Sequence, residues 1–329
     1  MKRVMLALLF PAIFLVAAGS GNGRTQPPIP WPPGLPVYDH VVIVVEENRD
    51  FEQIIGNTKA SPKYINQTLC KEGANFTQMF GEEHNSQGNY FWLFSGSNHD
   101  VGFEDEVPKV KFDKPNLGAG LIAKKKSFKA FCEDLPEIGS DVVEKGNYVR
   151  KHAPWFSFSN VPAECGVPFN QFPTDAKGFE KMPTVSFVIP NLDNDMHNGT
   201  ILDGDAWLQA NLDKYYQWAK QNNSLLIVTW DENVNPPKKD KLRFLGLTNP
   251  FTTAAGDSGR IQRNQIATIF AGARIKPGDY AEHKGITHVN ILRTLEAMYG
   301  LPRAGAQQKF AAAGGIRDEF IITDVFVKE

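Results

Sequence analysis

Acidic side chains follow three apolar segments of this sequence, and this pattern is typical of a cation site. The apolar segments are residues 41–45, 185–189 and 225–230. The polar residues that follow them are Glu46, Glu47, Asn48, Asp195, His197, Asp231 and Glu232. Carboxylate, amide and imidazole groups bind hard and borderline divalent cations. Adjacent carboxylates at a buried strand end repel each other unless a cation neutralises them, so Asp231 and Glu232 favour a metal site.

Four of these residues also have a simpler structural explanation. Glu47 and Asn48 could cap a helix or lie in a solvated turn. Asp195 and His197 could form an ion pair within one loop. The residue types alone leave these alternatives open, and the convergence of three strand ends on one edge is what favours a shared metal site.

A serine before an apolar helical turn is the candidate nucleophile. Ser86 stands at the predicted start of a helix. Free backbone N–H groups and the positive end of the helix dipole can hold a phosphate at such a position. Asn89 lies within one turn of Ser86, and its amide could donate to the same anion. The alternative is that Ser86 serves only as the N-cap of the helix.

The elements that would position these residues alternate along the chain. Apolar runs predict buried parallel strands at residues 41–45, 185–189, 225–230 and 266–270. Helical patterns cover residues 64–73, 88–94, 205–221 and 288–299. This alternation predicts an α/β fold, a three-layer α/β/α sandwich around a mostly parallel sheet, with ligands at the carboxyl ends of the strands. Residues 98–181, rich in Lys, Pro and Gly, are expected to form an irregular insertion over the sheet.

The first 36 residues predict an export signal and a leader. Lys2 and Arg3 precede an apolar run that ends in small residues, so residues 1–20 are interpreted as a cleaved signal peptide. An uncleaved anchor is the alternative, although the run is shorter than the roughly 20 residues of a spanning helix. Residues 21–36 are proline-rich and predict an extended leader, and residues 37–329 are expected to form one catalytic domain. We therefore expect a secreted or periplasmic protein without a stable membrane anchor.

The overall composition is that of a globular protein with no basic surface. The chain has 329 residues, 42% of them hydrophobic, with 35 Lys and Arg against 37 Asp and Glu. Loss of residues 1–20 would remove Lys2 and Arg3 and change the net charge from -2 to -4. This balance excludes binding driven by a polybasic surface, so no nucleic acid partner is expected.

Three cysteines in an oxidising compartment predict one disulfide and one free thiol. Cys132 and Cys165 are the preferred pair, because Cys70 lies in the predicted helix 64–73 and could be buried as a small apolar residue. The other two pairings stay open.

Five motifs together resemble those of the phosphoesterase family. They are residues 40–51 (HVVIVVEENRDF), 86–90 (SQGNY), 190–199 (PNLDNDMHNG), 229–232 (TWDE) and 287–296 (THVNILRTLE). They follow the family's order over roughly residues 38–300, which makes coincidence improbable. The family contains secreted acid phosphatases and phospholipases C and resembles the alkaline phosphatase superfamily. The length of the chain is similar to that of the short acid phosphatases.

The resemblance implies a metal site and a nucleophile. Glu47, Asn48, Asp231 and Glu232 would bind one divalent cation, and the oxygen of Ser86 would complete the site and attack phosphorus. The family often has proline at the positions of Asn85 and Gly88, and these two departures are expected to loosen the turn around Ser86.

The resemblance also implies substrate contacts and proton donors. Asn89 and His84 would contact the phosphate. Asp195, His197 and His288 would bind phosphate or a second metal ion, and a protonated His288 or His197 would assist the leaving alkoxide. The alternative for His288 is a helix-capping histidine. Three other histidines lie in polar segments and are expected at the surface, namely His99, His152 and His283.

The sequence therefore predicts a secreted, metal-dependent acid phosphatase that hydrolyses phosphate monoesters through a phosphoserine intermediate. One alternative is a phosphodiesterase of the phospholipase C type. Another is a secreted protein that binds phosphorylated ligands without catalysis, which the departures at Asn85 and Gly88 would favour.

Overall fold

The fold is built on an eight-stranded sheet. A computed structural model describes residues 26–56, 61–101, 105–234, 264–281, 285–306 and 318–328. The strands are β1 (His40–Glu46), β2 (Ala74–Phe76), β3 (Met79–Phe80), β4 (Phe128–Cys132), β5 (Glu144–Lys145), β6 (Tyr148–Val149), β7 (Gly166–Pro168), β8 (Val185–Ile189), β9 (Ser224–Trp230), β10 (Gln265–Ile266), β11 (Thr268–Gly272), β12 (Gly278–Tyr280) and β13 (Ile286–Thr287). The α-helices are α1 (Phe51–Ile54), α2 (Cys70–Glu72), α3 (Ser86–Ser95), α4 (Leu117–Ala123), α5 (Ala176–Phe179), α6 (Ile201–Ala219) and α7 (His288–Met298). A π-helix (Ile65–Leu69) leads into α2, and short 3₁₀ helices cover Arg150–His152, Pro154–Ser157, Ala163–Cys165 and Phe169–Gln171.

The sheet is mostly parallel, as the sequence predicts. Its strand order is β12-β2-β11-β9-β1-β8-β4-β7, and β9, β1, β8, β4 and β7 run parallel to their neighbours in that series. β1 lies inside the sheet because its apolar residues are buried on both faces. The predicted strand 266–270 is not one parallel strand in the structure. β10 ends at Ile266, and β11 begins at Thr268 and pairs antiparallel with β9.

The insertion at residues 98–181 is more regular than the sequence predicts. Its segments β4 and β7 extend the main sheet, with β4 paired to β8 and β7 at the edge. The prediction of a wholly irregular insertion was wrong because these strands are short. Lys129 interrupts the apolar pattern of β4, and Pro168 ends the three-residue β7.

Helices cover the sheet and form the outer layers of the α/β/α sandwich. The helices α3, α4 and α7 pack together, and the Phe94 ring of α3 contacts the Phe187 ring of β8 at 6.0 Å between centroids. The helix α6 packs with α5 and against β9. Tyr215 of α6 donates from its hydroxyl to the Leu225 carbonyl at 3.2 Å, which ties the helix to the sheet.

The proline-rich leader packs on the domain where the structure describes it. Gln26 forms an isolated β-bridge with Arg303, and the Trp31 ring meets the Phe326 ring edge-on at 5.8 Å between centroids. The predicted signal peptide, residues 1–20, lies outside the described residues. Within the described part of the chain, no helix combines the length and the apolar character that a membrane crossing requires.

The preferred disulfide between Cys132 and Cys165 does not form. Cys70, Cys132 and Cys165 are all free in the structure. The parallel register of β4 and β7 places Cys132 opposite Pro168, three residues beyond Cys165. Three residues of strand span about 10 Å, which exceeds the roughly 7 Å that a disulfide can bridge between Cα atoms.

Candidate active site

Two adjacent parallel strands deliver the first acidic residues to the same edge. Glu46 pairs in register with Trp230, so the next residues, Glu47 and Asp231, leave the sheet side by side. The Asp231 N–H donates to the Glu46 carbonyl at 2.9 Å, and the Asn48 N–H donates to Asp231 Oδ1 at 3.1 Å. These bonds fix the carboxylate of Asp231 beside the turn after β1.

Ser86 lies between two of the predicted metal ligands. It is the first residue of α3, and Asn85 rather than Ser86 is the N-cap. The Ser86 hydroxyl lies 2.9 Å from Glu47 Oε2 and 3.3 Å from Glu232 Oε1. The structure thus brings Ser86 together with acidic residues that are 39 and 146 positions away in the sequence.

The side chain of Asn89 holds the loop that precedes Ser86. Its Oδ1 accepts from the N–H groups of Glu82 and Glu83 at 2.8 and 3.1 Å, and its Nδ2 donates to the Glu83 carbonyl at 2.6 Å. This positioning contact was not predicted from the sequence. One amide hydrogen of Asn89 is used in the bond to the Glu83 carbonyl. Binding of phosphate by the other amide hydrogen stays a prediction.

Gly88 leaves room for a carboxylate, so the departure from proline has a structural reason. A Cβ atom on Gly88 would lie 1.8 Å from Glu83 Oε1. The Glu83 carboxylate accepts from Trp92 Nε1 at 3.2 Å and from Asn98 Nδ2 at 2.9 and 3.0 Å. Gly88 therefore does not loosen the turn. It leaves room for the Glu83 carboxylate, which connects the segment before Ser86 to Trp92 of α3.

Burial of several carboxyl groups creates an electrostatic imbalance at this edge. Burial raises the pKa of five carboxyl groups well above the ordinary value, and neighbouring negative charges raise it further. The groups are Glu46, Glu47, Asp195, Asp231 and Glu232. Such a cluster must either bind protons or be neutralised by a cation.

The donor set fits a divalent cation. Asp231 Oδ2, Asn48 Oδ1 and Asp195 Oδ2 are buried and accept no hydrogen bond within the described residues. Ligand atoms of Glu47, His152 and Asp195 lie within 4.8 Å of one another, which is close enough to share one ion. Buried oxygen and imidazole donors of this kind suit a hard or borderline divalent metal.

His152 was expected at the surface, and this prediction was wrong. Its side chain is only 2% exposed, and its Nε2 lies 3.1 Å from Glu47 Oε1, at an angle unsuited to a hydrogen bond. Its ring stacks on Tyr90 at 4.8 Å between centroids and 7° between planes. Burial lowers the pKa of His152 well below its ordinary value, so the imidazole is neutral and its nitrogen can bind a metal.

Tyr90 is a second residue that the sequence analysis did not assign. Its hydroxyl donates to Glu47 Oε1 at 2.7 Å, and its ring supports His152. Tyr90 lies one helical turn after Ser86, in the motif at 86–90, and this spacing was the available signal. The polar residues Arg150 and Lys151 before His152 hid the burial of that histidine.

The loop after β8 places Asp195 beside Glu47. The Glu47 N–H donates to the Asp195 carbonyl at 2.8 Å, and Asp195 Oδ1 accepts from the His197 N–H at 2.8 Å. Arg49 donates from Nη2 to the carbonyls of Met196 and Gly199, which fixes the loop against the turn after β1. The His197 imidazole is exposed, so its role in proton transfer stays a prediction.

The two remaining predicted histidines differ in their surroundings. His84 Nδ1 contacts Glu232 Oε2, so His84 lies at the acidic cluster. His288 is buried and donates from Nε2 to the Trp230 carbonyl at 2.8 Å. Burial lowers the pKa of His288 to about 4. A neutral imidazole is a poor proton donor at neutral pH, so His288 does not suit that predicted role. Its Nδ1 has no hydrogen-bond partner among the described residues and is suited to bind a metal ion.

The other two histidines were expected at the surface. His99 is partly buried and stacks on Phe112 at 4.6 Å between centroids, so its surface assignment was also wrong. Burial lowers the pKa of His99 to about 4. His283 lies outside the described residues.

A comparison with protein families identifies the fold and the general activity. The Phosphoesterase family matches residues 63–302. The chain belongs to the phosphoesterase family. It is a hydrolase that acts on phosphoric ester bonds, in agreement with the names of its relatives.

Two relatives illustrate this similarity. A phosphatidylinositol-3-phosphatase of Mycobacterium tuberculosis is 47% identical over 271 residues, which cover 82% of this chain and 80% of that protein. A phosphate-repressible acid phosphatase of Penicillium chrysogenum is 26% identical over 283 residues, which cover 82% of this chain and 60% of that protein.

Solved structures with little sequence identity share the fold. A protein of the alkaline phosphatase superfamily from Vibrio parahaemolyticus has a TM-score of 0.52 at 11% identity, covering 84% of this chain and 73% of its own. A lipoteichoic acid synthase from Listeria monocytogenes has a TM-score of 0.51 at 11% identity, covering 84% and 77%. These structures confirm the predicted alkaline-phosphatase-like α/β fold.

Proposed function

We propose that this protein is a secreted, metal-dependent phosphatase that hydrolyses phosphate monoesters through a phosphoserine intermediate. The observation that supports it most directly is the contact of the Ser86 hydroxyl with Glu47 and Glu232 at the start of α3. A serine hydroxyl is inert at neutral pH unless a neighbouring group activates it. Here the activating groups are within hydrogen-bond distance.

The side chains of the site divide the first chemical step between them. The Ser86 oxygen attacks phosphorus, an Oγ–P bond forms, and the bond from phosphorus to the leaving alkoxide breaks. The proton of Ser86 passes to the carboxylate of Glu47 or Glu232, which lie 2.9 and 3.3 Å from it. The exposed His197 is the proposed donor of a proton to the leaving alkoxide. In the second step water attacks phosphorus and gives a proton to His197, the Oγ–P bond breaks, and the Ser86 oxygen recovers its proton from Glu47 or Glu232 as phosphate leaves.

The family resemblance assigns a divalent cation to Glu47, Asn48, Asp231 and Glu232. In support, Asn48 Oδ1 and Asp231 Oδ2 form no hydrogen bond among the described residues, and Glu47, His152 and Asp195 lie close enough to share one ion. When bound, it would offset the repulsion of the carboxylates and lower the pKa of the Ser86 hydroxyl. Asn48 suits its place because asparagine tolerates the left-handed backbone found there, with φ of 47°. Tyr90 orients Glu47 by donating to the oxygen that faces away from Ser86.

Replacement of Ser86 tests the nucleophile. Ser86→Ala should abolish hydrolysis of a chromogenic aryl phosphate and leave the circular dichroism spectrum unchanged. The matched control is Ser95→Ala at the other end of α3, where the hydroxyl donates to the Phe91 carbonyl at 2.9 Å. Ser95→Ala should keep its turnover. Full turnover by Ser86→Ala would remove Ser86 from the mechanism.

The substrate class can be resolved by comparing three phosphates. The Mycobacterium tuberculosis relative is named for phosphatidylinositol 3-phosphate, so a phosphoinositide monoester is a natural substrate to compare with the aryl phosphate. We expect release of phosphate from these monoesters and no release of the head group from phosphatidylcholine. Head-group release would instead support the phospholipase C alternative, and a failure of all three would support a binding protein.

Export is proposed from the basic start and the apolar run within residues 1–20. Expression of the full chain in a bacterial host should place the activity in the periplasm or the medium, with the mature chain starting near residue 21. Retention of an intact N-terminus in the cytoplasm would contradict this proposal.

A further inference from the structure

The Asp105 carboxylate lies at the N-terminus of α3, beside the proposed nucleophile. Asp105 Oδ1 accepts from the Gln87 N–H at 3.0 Å, and its Oδ2 forms an ion pair with Lys151 Nζ. Gln87 also donates from Nε2 to the Glu106 carbonyl at 2.9 Å. Because Gln87 directly follows Ser86, the position of Asp105 is one at which an attacked phosphoryl group needs to be held.

Lys151 belongs to the same site. The next residue, His152, contacts Glu47 Oε1 at 3.1 Å. Glu47 also contacts the Ser86 hydroxyl through Oε2 at 2.9 Å, so Lys151 directly precedes a residue that contacts the acidic cluster. Asp231 Oδ2 and His152 Nε2 are buried and form no hydrogen bond within the described part of the chain. The site therefore has polar atoms that a further bound group can contact.

Asp105 is a poor permanent neighbour for this cluster. It adds a negative charge at the start of the helix whose first residue, Ser86, contacts the carboxylates of Glu47 and Glu232. Its two oxygens bind one backbone N–H and one ammonium group, which is how two oxygens of a phosphoryl group bind a helix N-terminus and a lysine. The carboxylate thus stands in the place, and uses the partners, of an anionic substrate.

We propose that Lys151 and the Gln87 N–H bind the phosphoryl group of the substrate, and that Asp105 occupies this position until the substrate displaces it. The proposal deepens the proposed function and rests on Ser86 being the nucleophile. It assigns a substrate-binding role to Lys151 and the role of an internal competitor to Asp105.

Inorganic phosphate is the probe, because its binding can be measured without turnover. Isothermal titration of the metal-loaded full chain should show that Lys151→Met weakens phosphate binding about tenfold, the usual loss for a charge-assisted hydrogen bond. Lys124→Met, at an exposed lysine that follows α4 and forms no ion pair within the described residues, is the matched control and should bind like the wild type.

Asp105→Asn removes only the competing charge. Asparagine tolerates the left-handed backbone of this position, with φ of 57°, and can still accept from the Gln87 N–H. Because apparent affinity scales with the fraction of molecules that are free to bind, we expect phosphate to bind about threefold tighter or more. The KM for the aryl phosphate should fall in the same direction.

Two results would overturn the proposal. One is phosphate affinity in Asp105→Asn that equals or falls below that of the wild type, which would make Asp105 a permanent structural cap. The other is unchanged affinity in Lys151→Met. Lys151→Arg keeps the charge and should retain most of the affinity, which separates loss of a cation from loss of the fold. Failure of the proposed function would show itself differently, as turnover that survives in Ser86→Ala.

Discussion

Gly88 is the position at which the smallest change should disturb the turn that holds Ser86. A Cβ atom there would lie 1.8 Å from Glu83 Oε1 and 2.7 Å from Glu83 Cδ. The Glu83 carboxylate would have to swing away from Gly88. That movement would break its hydrogen bonds from Trp92 Nε1 at 3.2 Å and from Asn98 Nδ2 at 2.9 and 3.0 Å.

The magnitude follows from these contacts. A hydrogen bond to a charged group stabilises a protein by about 1.5–3 kcal/mol. The lower value applies to Glu83, which is partly exposed and whose pKa burial raises to about 7. Two lost donor groups therefore amount to about 3 kcal/mol. Alanine is favoured over glycine within a helix by about 1 kcal/mol. Gly88→Ala should thus lower the free energy of unfolding by about 2 kcal/mol.

Urea unfolding followed by circular dichroism measures this change against a matched control. Gly120 also lies in a helix, and the nearest atom to its added Cβ would be Leu301 Cδ1 at 3.5 Å, an ordinary contact. Gly120→Ala should therefore raise stability by up to about 1 kcal/mol. In a double variant, Gly88→Ala should add no loss to Glu83→Ala, because the clash is gone. Equal stability of Gly88→Ala and the wild type would refute the role of Glu83.

Three further predictions concern the acidic cluster. His152→Phe keeps the stacking on Tyr90 but removes the nitrogen near Glu47, so metal affinity should fall about tenfold or more. Equilibrium dialysis measures this affinity, and an unchanged value would exclude His152 from the site. Chelation should stop turnover and added divalent metal should restore it, whereas full activity in protein that elemental analysis shows to be metal-free would defeat the assignment. Burial raises the pKa of Glu47, Asp195 and Asp231 above the value of about 4 in the unfolded chain, so the folded state binds more protons. The metal-free protein should therefore lose stability in urea unfolding as the pH rises above about 4, and bound metal should remove much of that loss, while stability that rises with pH would contradict the burial of these groups.

Residues at strand ends could be predicted from the sequence because the fold itself determines their position. The apolar run before Glu47 and the one before Asp231 identify two buried strands, and a parallel register then brings the following residues together. The same reasoning places Asp195 after β8. The position of Ser86 beside these groups required the resemblance to the family, since its own segment predicts only a helix start.

The residues that were missed owe their positions to tertiary packing. His152 and Lys151 lie in a three-residue 3₁₀ helix, which is too short for a periodic pattern that would indicate burial. His152 is buried because its ring stacks on Tyr90, a contact across 62 positions of sequence that composition does not reveal. The disulfide prediction failed for a similar reason, since the register of β4 and β7 separates Cys132 from Cys165.

Trapping the intermediate tests most directly whether Ser86 is the nucleophile. The metal-loaded protein is mixed with a saturating aryl phosphate, quenched in acid during turnover, digested and analysed by tandem mass spectrometry. We expect one phosphoryl group on the peptide that contains Ser86, with fragment ions that assign it to the Ser86 side chain. A phosphoryl group found on another acid-stable residue of that peptide, such as Tyr90, would contradict the mechanism.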